Sequence, residues 1–255
     1  MVETKIIAYI GKGGTGKTIL SALTGKIAIE KQKKVLFIDA DPAMGLATAL
    51  GVEGYKTIGT AREEIIKSAK KGISQKNDDI REITDYVLLE SLYESAEFCM
   101  FVMGHTNTIG CYCPVNSLLR NTIKSVAGRF DLVIIDAEAG IEQINRQVVE
   151  SVHYPILVTD NSLRGAKTTV LANETINSSP SMKPLKTGVI FNRVEKSNED
   201  LQKYIEDKGI PCYGSIPADL NISMIDADGL SPLNIDKTTV AVEKLRTILE
   251  MNDIL

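Results

Sequence analysis

Four of the chain's 19 glycines fall in one octapeptide, Gly11-Lys12-Gly13-Gly14-Thr15-Gly16-Lys17-Thr18. The short apolar run Lys5 to Ile10 precedes it, and helical spacing of Leu20, Leu23 and Ile27 follows. A strand that turns through glycines into a helix is the setting that a phosphate-binding loop requires. Glycines let successive backbone N–H groups turn inward around an anion, and the helix start adds its positive dipole end. Lys17 can then reach β- and γ-phosphates, and Thr18 can ligate Mg²⁺. A chance glycine-rich turn is the alternative.

The rest of the chain fits the architecture that such a loop belongs to. Val35 to Ile38, Tyr86 to Leu89, Met100 to Met103, Leu132 to Ile135, Pro155 to Thr159 and Gly188 to Phe191 are expected as strands. Val115, Leu118, Leu119, Ile123 and Val126 mark a helix that stops at Gly128, and a last helix is expected over Thr238 to Glu250. Near-continuous apolar strands separated by helices imply a parallel sheet covered on both faces. The expectation is one α/β domain over residues 1–255: a single doubly wound, mainly parallel sheet of the P-loop type. Residues 54–82 are polar and Lys-rich, and read as a helical insertion with a loop.

Composition narrows the function. With 44% apolar residues, 24% charged residues and a net charge of −4, the chain is an ordinary globular protein and no polycation. Neither nucleic acid nor a membrane is expected as a partner. The first residues lack the charged-then-apolar pattern of a secretion signal, and no apolar run approaches the ~18 residues of a span. Four cysteines are too few for a disulfide framework at this length. A cytoplasmic location with reduced thiols is expected.

Lys12 is an extra lysine directly after the first glycine of the loop. With it, the octapeptide resembles the deviant Walker A motif of the MinD/ParA/nitrogenase-iron-protein class of ATPases. The resemblance implies ATP as the nucleotide and a homodimer in which Lys12 reaches the partner's nucleotide. There it would offset charge developing at the γ-phosphate, as an arginine finger does. A solvated loop lysine is the plainer alternative.

Two acidic turns follow strands. Carboxylates at a strand tip beside a P-loop can hold Mg²⁺ or its waters, or orient an attacking water. Val35-Leu-Phe-Ile-Asp39-Ala-Asp41-Pro42 resembles the first switch of the same class. By that resemblance Asp41 positions the hydrolytic water and Asp39 supports the metal shell, although Asp-Pro is also a turn signal. In the second turn, Asp136 sits like a Walker B carboxylate, and Gly140 would let the segment Asp136-Ala-Glu138-Ala-Gly140 respond to the γ-phosphate. Septum-site ATPases commonly carry Pro where this chain has Glu138.

For the base, Asn192 offers both a donor and an acceptor to a purine edge. The class places an adenine-contacting Asn there, beside Arg193, and Ile216-Pro217-Ala218-Asp219 resembles its segment flanking the base on the other side. An ordinary strand-end turn is the alternative.

Outside the nucleotide site, Gly110-Cys111-Tyr112-Cys113-Pro114 carries the most information. Pro114 suits the first position of the following helix, which puts Cys113 at its N-cap, where thiolate is favoured. Two thiolates are half of a four-ligand site, and a two-fold dimer would complete it. Tetrahedral S₄ would suit Zn²⁺, square-planar S₄ Ni²⁺. Structural thiols are the alternative, and so is an interfacial iron–sulfur cluster, although that family draws its ligands from two distant loops. Cys99 and Cys212 read as core thiols. His105 reads as a solvated loop histidine six residues before Cys111, and His153 as structural.

Taken together, the chain resembles the CooC/AcsF-type ATPases, which mature the nickel sites of carbon monoxide dehydrogenase and acetyl-CoA synthase. The resemblance runs from Gly11 to about Leu233, with Thr15 in place of the usual Val and Ile19 in place of a second Thr. It implies a metallochaperone that binds ATP, Mg²⁺ and either Ni²⁺ or Zn²⁺, with one of those two nickel enzymes as client. A MinD/ParA-type positioning ATPase is the alternative, ahead of an iron–sulfur electron-transfer reductase.

Overall fold

Alternate residues of each strand enter opposite cores. In β1 (Lys5–Gly11), Ile6, Ala8 and Ile10 face one side and Ile7 and Tyr9 the other. The same period divides Leu36 and Ile38 from Val35 and Phe37 in β2 (Val35–Asp39). It also divides Val133 and Ile135 from Leu132 and Ile134 in β5 (Leu132–Asp136). Strands buried on both faces must have helices on both, and this is the physical content of the apolar runs.

The structure, a computed structural model, describes residues 3–70, 77–105, 113–137, 152–178, 184–196 and 198–255. The remaining strands are β3 (Tyr93–Glu94), β4 (Phe98–Val102), β6 (Tyr154–Thr159), β7 (Gly188–Asn192) and β8 (Cys212–Ile216). The described strands form one eight-stranded sheet in the order β3-β4-β2-β5-β1-β6-β7-β8. Every pairing is parallel except that of β3 with β4.

One face carries α1 (Lys17–Glu30), α2 (Gly45–Ala49) and, near the end of the chain, α9 (Val240–Met251). The other carries α3 (Ile58–Lys70), α4 (Asn77–Leu89), α5 (Cys113–Ala127), α6 (Leu163–Ser178) and α7 (Glu199–Glu206). A further helix, α8 (Leu220–Ala227), has no buried residue. Among the described residues, no helix is long and apolar enough to cross a membrane.

From β1 the chain moves to β2 on one side of the sheet and later to β6 on the other, so β1 lies at the point where strand order reverses. In open α/β sheets the ligand crevice opens there, outside the carboxyl ends of the strands. Strand register brings Asp136 level with Asp39 and Tyr9, and Gly11 level with Val158, all at that edge.

Tyr86 to Leu89 is not a strand. It is the last turn of α4, with Val87 and Leu88 buried and Tyr86 and Leu89 exposed. Four apolar residues in a row cannot distinguish the two structures, and helical spacing from Thr84 to Val87 and Leu88 decides it. Residues 54–82 contain α3 and the start of α4. Strand β8 and helix α8 had no expectation. The sequence of β8, Cys-Tyr-Gly-Ser-Ile, is too mixed for an apolar run because it is a half-exposed edge.

Candidate nucleotide site

The loop begins where β1 and β6 touch. A Cβ on Gly11 would stand 2.2 Å from the Val158 carbonyl oxygen, so only glycine allows this approach. Gly16 has φ +88° at the turn into α1, the left-handed region that other residues rarely adopt. Inside the loop, Thr15 Oγ1 donates to the Lys12 carbonyl at 2.9 Å. Lys17 Nζ donates to the same carbonyl at 3.1 Å, which folds the amine back against the loop. Gly13, Gly14, Gly16, Lys17, Thr18 and Asp41 line one side of a cleft of about 530 Å³ at the start of α1.

Beneath the loop lies a buried carboxylate. Asp136 is 1% exposed, accepts the Thr18 hydroxyl at 2.7 Å on Oδ2, and accepts Ser21 Oγ at 3.4 Å on Oδ1. Burial pushes its pKa up to about 7 against the Thr18 hydrogen bond, and the charge of Asp39 adds to the rise. A desolvated carboxylate beside a threonine hydroxyl is an oxygen donor pair short of positive charge. That chemistry fits Mg²⁺, which takes one or two protein oxygens together with phosphates and water.

Asp39 is fully buried and serves the loop that follows it. Its Oδ1 accepts the Asp41 N–H at 3.2 Å, and its Oδ2 accepts those of Leu46 and Ala47 at 2.9 and 3.0 Å. Burial pushes its pKa up to about 6, partly offset by those N–H groups. Asp41 lines the cleft, and its Oδ1 accepts the Ala43 N–H at 2.8 Å. Lys12 points its amine to Asp160, with Nζ 3.7 Å from Oδ2.

A second cleft of about 330 Å³ adjoins the first. It is lined by Asn192, Arg193, Pro217, Ala218 and Asp219, which the fold brings together from the ends of β7 and β8. Asn192 Nδ2 donates to the Thr15 carbonyl at 2.7 Å, so this side chain also braces the phosphate loop. Asp219 caps α8 by accepting the Asn221 N–H at 2.9 Å, and its other oxygen accepts from Ala241 at 3.4 Å. Ile19, Arg193 and Asp226 line both clefts, which therefore form one continuous site. Asp226 is not among the site residues expected from the sequence. Its available signal was Asp219 as a helix N-cap, which starts the helix whose last turn carries Asp226.

Helix α5 begins at Cys113, one residue earlier than the N-cap reading, while Cys111, Glu138 and Gly140 lie outside the described residues. Among the described residues, no group of three or more His, Cys, Asp or Glu could hold a metal ion. Cys99 and Cys212 are free and half-buried. His105 is exposed, and His153 Nδ1 accepts the Ile6 N–H at 3.1 Å.

A phosphate loop at a topological switch point, with a buried carboxylate beneath it and a base-sized cleft beside it, defines a P-loop nucleotide-binding protein. The chain belongs to the CobQ/CobB/MinD/ParA nucleotide-binding domain family, whose model matches residues 6–233. It is an ATPase of the MinD/ParA/CooC class. An uncharacterized ATP-binding protein of Methanocaldococcus jannaschii is 33% identical over 250 residues, covering 96% of this chain and 97% of that one. The carbon monoxide dehydrogenase accessory protein CooC of Rhodospirillum rubrum is 29% identical over 251 residues, covering 88% of each. The solved septum site-determining protein MinD of Pyrococcus horikoshii, complexed with Mg-ADP, superposes with a TM-score of 0.66 at 20% identity. It covers 98% of this chain and 96% of its own, and at that identity the likeness speaks for the fold.

Proposed function

We propose that this ATPase is a homodimeric metallochaperone that assists nickel insertion into carbon monoxide dehydrogenase or acetyl-CoA synthase. The observation that carries the reading is the sequence Cys111-Tyr112-Cys113, whose last residue begins α5, in a chain 29% identical to a carbon monoxide dehydrogenase accessory protein. The positive end of a helix favours thiolate, the form that binds metal. Two such pairs across a two-fold axis would supply four sulfurs to one Ni²⁺ or Zn²⁺.

In this reading the N–H groups of Gly13 to Thr18, together with Lys17, hold the β- and γ-phosphates. Thr18, Asp41 and Asp136 would hold Mg²⁺, directly or through water, and the ion supplies positive charge to the phosphate oxygens. Asp41 orients water for in-line attack on the γ-phosphorus, while Asp39 fixes the turn that carries it. The bond to the β–γ bridging oxygen breaks, giving ADP and phosphate. Lys12 of each protomer offsets charge at the partner's γ-phosphate. The turn Asp136, Glu138, Gly140 would sense the γ-phosphate and couple closure to the cysteine site. Hydrolysis would then loosen the dimer and release the metal to the client.

The test is metal titration of the wild type and of Cys111→Ser/Cys113→Ser, with size-exclusion chromatography in ADP, ATP and no nucleotide. One nickel or zinc per wild-type dimer and none in the variant is expected. Unchanged stoichiometry in the variant overturns the cysteine site.

A MinD/ParA-type positioning role is the competing reading, supported by the same family membership. It would engage a membrane or DNA. The apolar stripe of α9 (Ala241, Val242, Leu245, Ile248 and Leu249) is buried in the core and so is not offered to lipid. Co-sedimentation with liposomes or DNA in the presence of ATP separates the two readings.

A further inference from the structure

We propose that Arg193 binds the α-phosphate of the nucleotide, a task that falls to it because residue 19 is isoleucine. The inference rests on the nucleotide site and is independent of the metal reading.

A nucleotide has a fixed order of parts: base, ribose, α-, β- and γ-phosphate. With β and γ in the cleft of Gly13 to Thr18 and the base in the cleft of Asn192 and Pro217, the ribose and α-phosphate must cross the junction. Three residues line both clefts: Ile19, Arg193 and Asp226. Ile19 lies in the first turn of α1, is 7% exposed and has no polar side-chain atom. Asp226 is an anion and suits ribose hydroxyls, which donate. Arg193 is the cation of the three, and a guanidinium matches a phosphate in both charge and geometry.

The backbone aims Arg193 at the loop. It has φ +61°, a left-handed conformation for a residue other than glycine, of the kind that persists where the surroundings impose it. Its Nη1 lies 3.5 Å from the Gly14 carbonyl, a long contact that engages one of five N–H donors. Its Nε lies 3.5 Å from where a Cβ on Gly16 would stand. The guanidinium is thus held over Gly14 to Gly16, at the edge of the phosphate cleft nearer the base.

A double-mutant cycle on Mg-ADP affinity tests the assignment, using wild type, Arg193→Asn, Ile19→Thr and the double variant. Asn tolerates the left-handed backbone, and Arg193 is exposed, so the fold is retained. Loss of a charge-assisted contact should weaken Mg-ADP binding roughly 10- to 100-fold in R193N. Thr at position 19 is β-branched like Ile and places a hydroxyl at the same junction, so the loss from R193N should be severalfold smaller in the I19T background. Equal losses in the two backgrounds, or no loss in either, overturn the proposal while leaving ATP binding intact. A wild-type protein that binds no Mg-ADP overturns both.

Discussion

Lys12 Nζ stands 3.7 Å from Asp160 Oδ2, so the second residue of the phosphate loop is tied to the residue that follows β6 in the same chain. Burial raises the Asp160 carboxyl, but the Ser162 hydroxyl and N–H and the Lys12 charge together hold it below its ordinary range. Both side chains keep more than a third of their exposure, which makes the pair weak and easily exchanged. A lysine needed at a partner's nucleotide would have to leave this contact. Asp160→Asn should therefore raise the ATP-dependent dimer fraction, by up to about fivefold in the association constant. Light scattering at fixed protein concentration measures it, and an unchanged or lower dimer fraction would show that the Lys12–Asp160 contact does not restrain dimerisation.

The two loop lysines differ in burial, and their variants should differ in kind. Lys17 is 8% exposed and folded onto the Lys12 carbonyl, whereas the Lys12 side chain reaches outward. Lys17→Ala should weaken Mg-ATP binding and turnover together. Lys12→Ala should keep Mg-ADP affinity within about threefold and lower turnover about 100-fold or more, the loss typical of a group acting on transition-state charge. Equal effects of K12A on binding and turnover would remove Lys12 from the chemistry.

Asp136 should make the stability of the nucleotide-free protein depend on pH. Its carboxyl is raised from 3.8 to about 7, first by burial. Between those values the folded chain holds a proton that the unfolded chain has released. Its contribution to stability is therefore full below about pH 4 and is lost as pH rises through about 7. Asp39, raised to about 6, acts in the same direction. In urea titrations without nucleotide or Mg²⁺, the wild type should lose roughly 1–3 kcal/mol more than Asp136→Asn between pH 5 and pH 8. Parallel profiles for the two proteins would show that Asp136 is ionised throughout.

How much of this was legible along the chain depends on range. The loop, its strand and the strand-tip carboxylates Asp39 and Asp136 are local patterns, so spacing revealed them. Asp226 was legible only as far as the Asp219 N-cap that starts its helix, and Asp160 was not legible at all: each is an ordinary surface acid in sequence, and the packing of α8 and β6 brings it to the site. Tyr86 to Leu89 failed for the opposite reason, because four apolar residues carry no period long enough to separate strand from helix.

Asp226 at the junction of the two clefts should accept ribose hydroxyls. Wild type is then expected to prefer ATP over 2′-deoxy-ATP by roughly 10- to 100-fold, the scale of one hydrogen bond to a charged acceptor. Asp226→Ala, which removes the acceptor altogether, should bring the ratio near one with little change in 2′-deoxy-ATP affinity. Competition binding measures both, and a preserved ratio would place the ribose elsewhere.

Asn192 lines the second cleft and also braces the phosphate loop, and one variant can test whether it serves both base and fold. A base-contacting side chain matters only when nucleotide is bound, whereas the bond from its Nδ2 to the Thr15 carbonyl exists in the free chain. Asn192 is 6% exposed, so its removal leaves that carbonyl without its buried donor. Such a loss costs about 1–3 kcal/mol. Asn192→Ala should therefore lower the Tm of the nucleotide-free protein by several degrees, at about 2–4 °C per kcal/mol for a chain of this size. It should weaken ADP binding as well, through both the base and a slackened loop. If the Tm without nucleotide is unchanged while ADP affinity falls, the side chain serves the base alone and the brace contributes nothing to the fold.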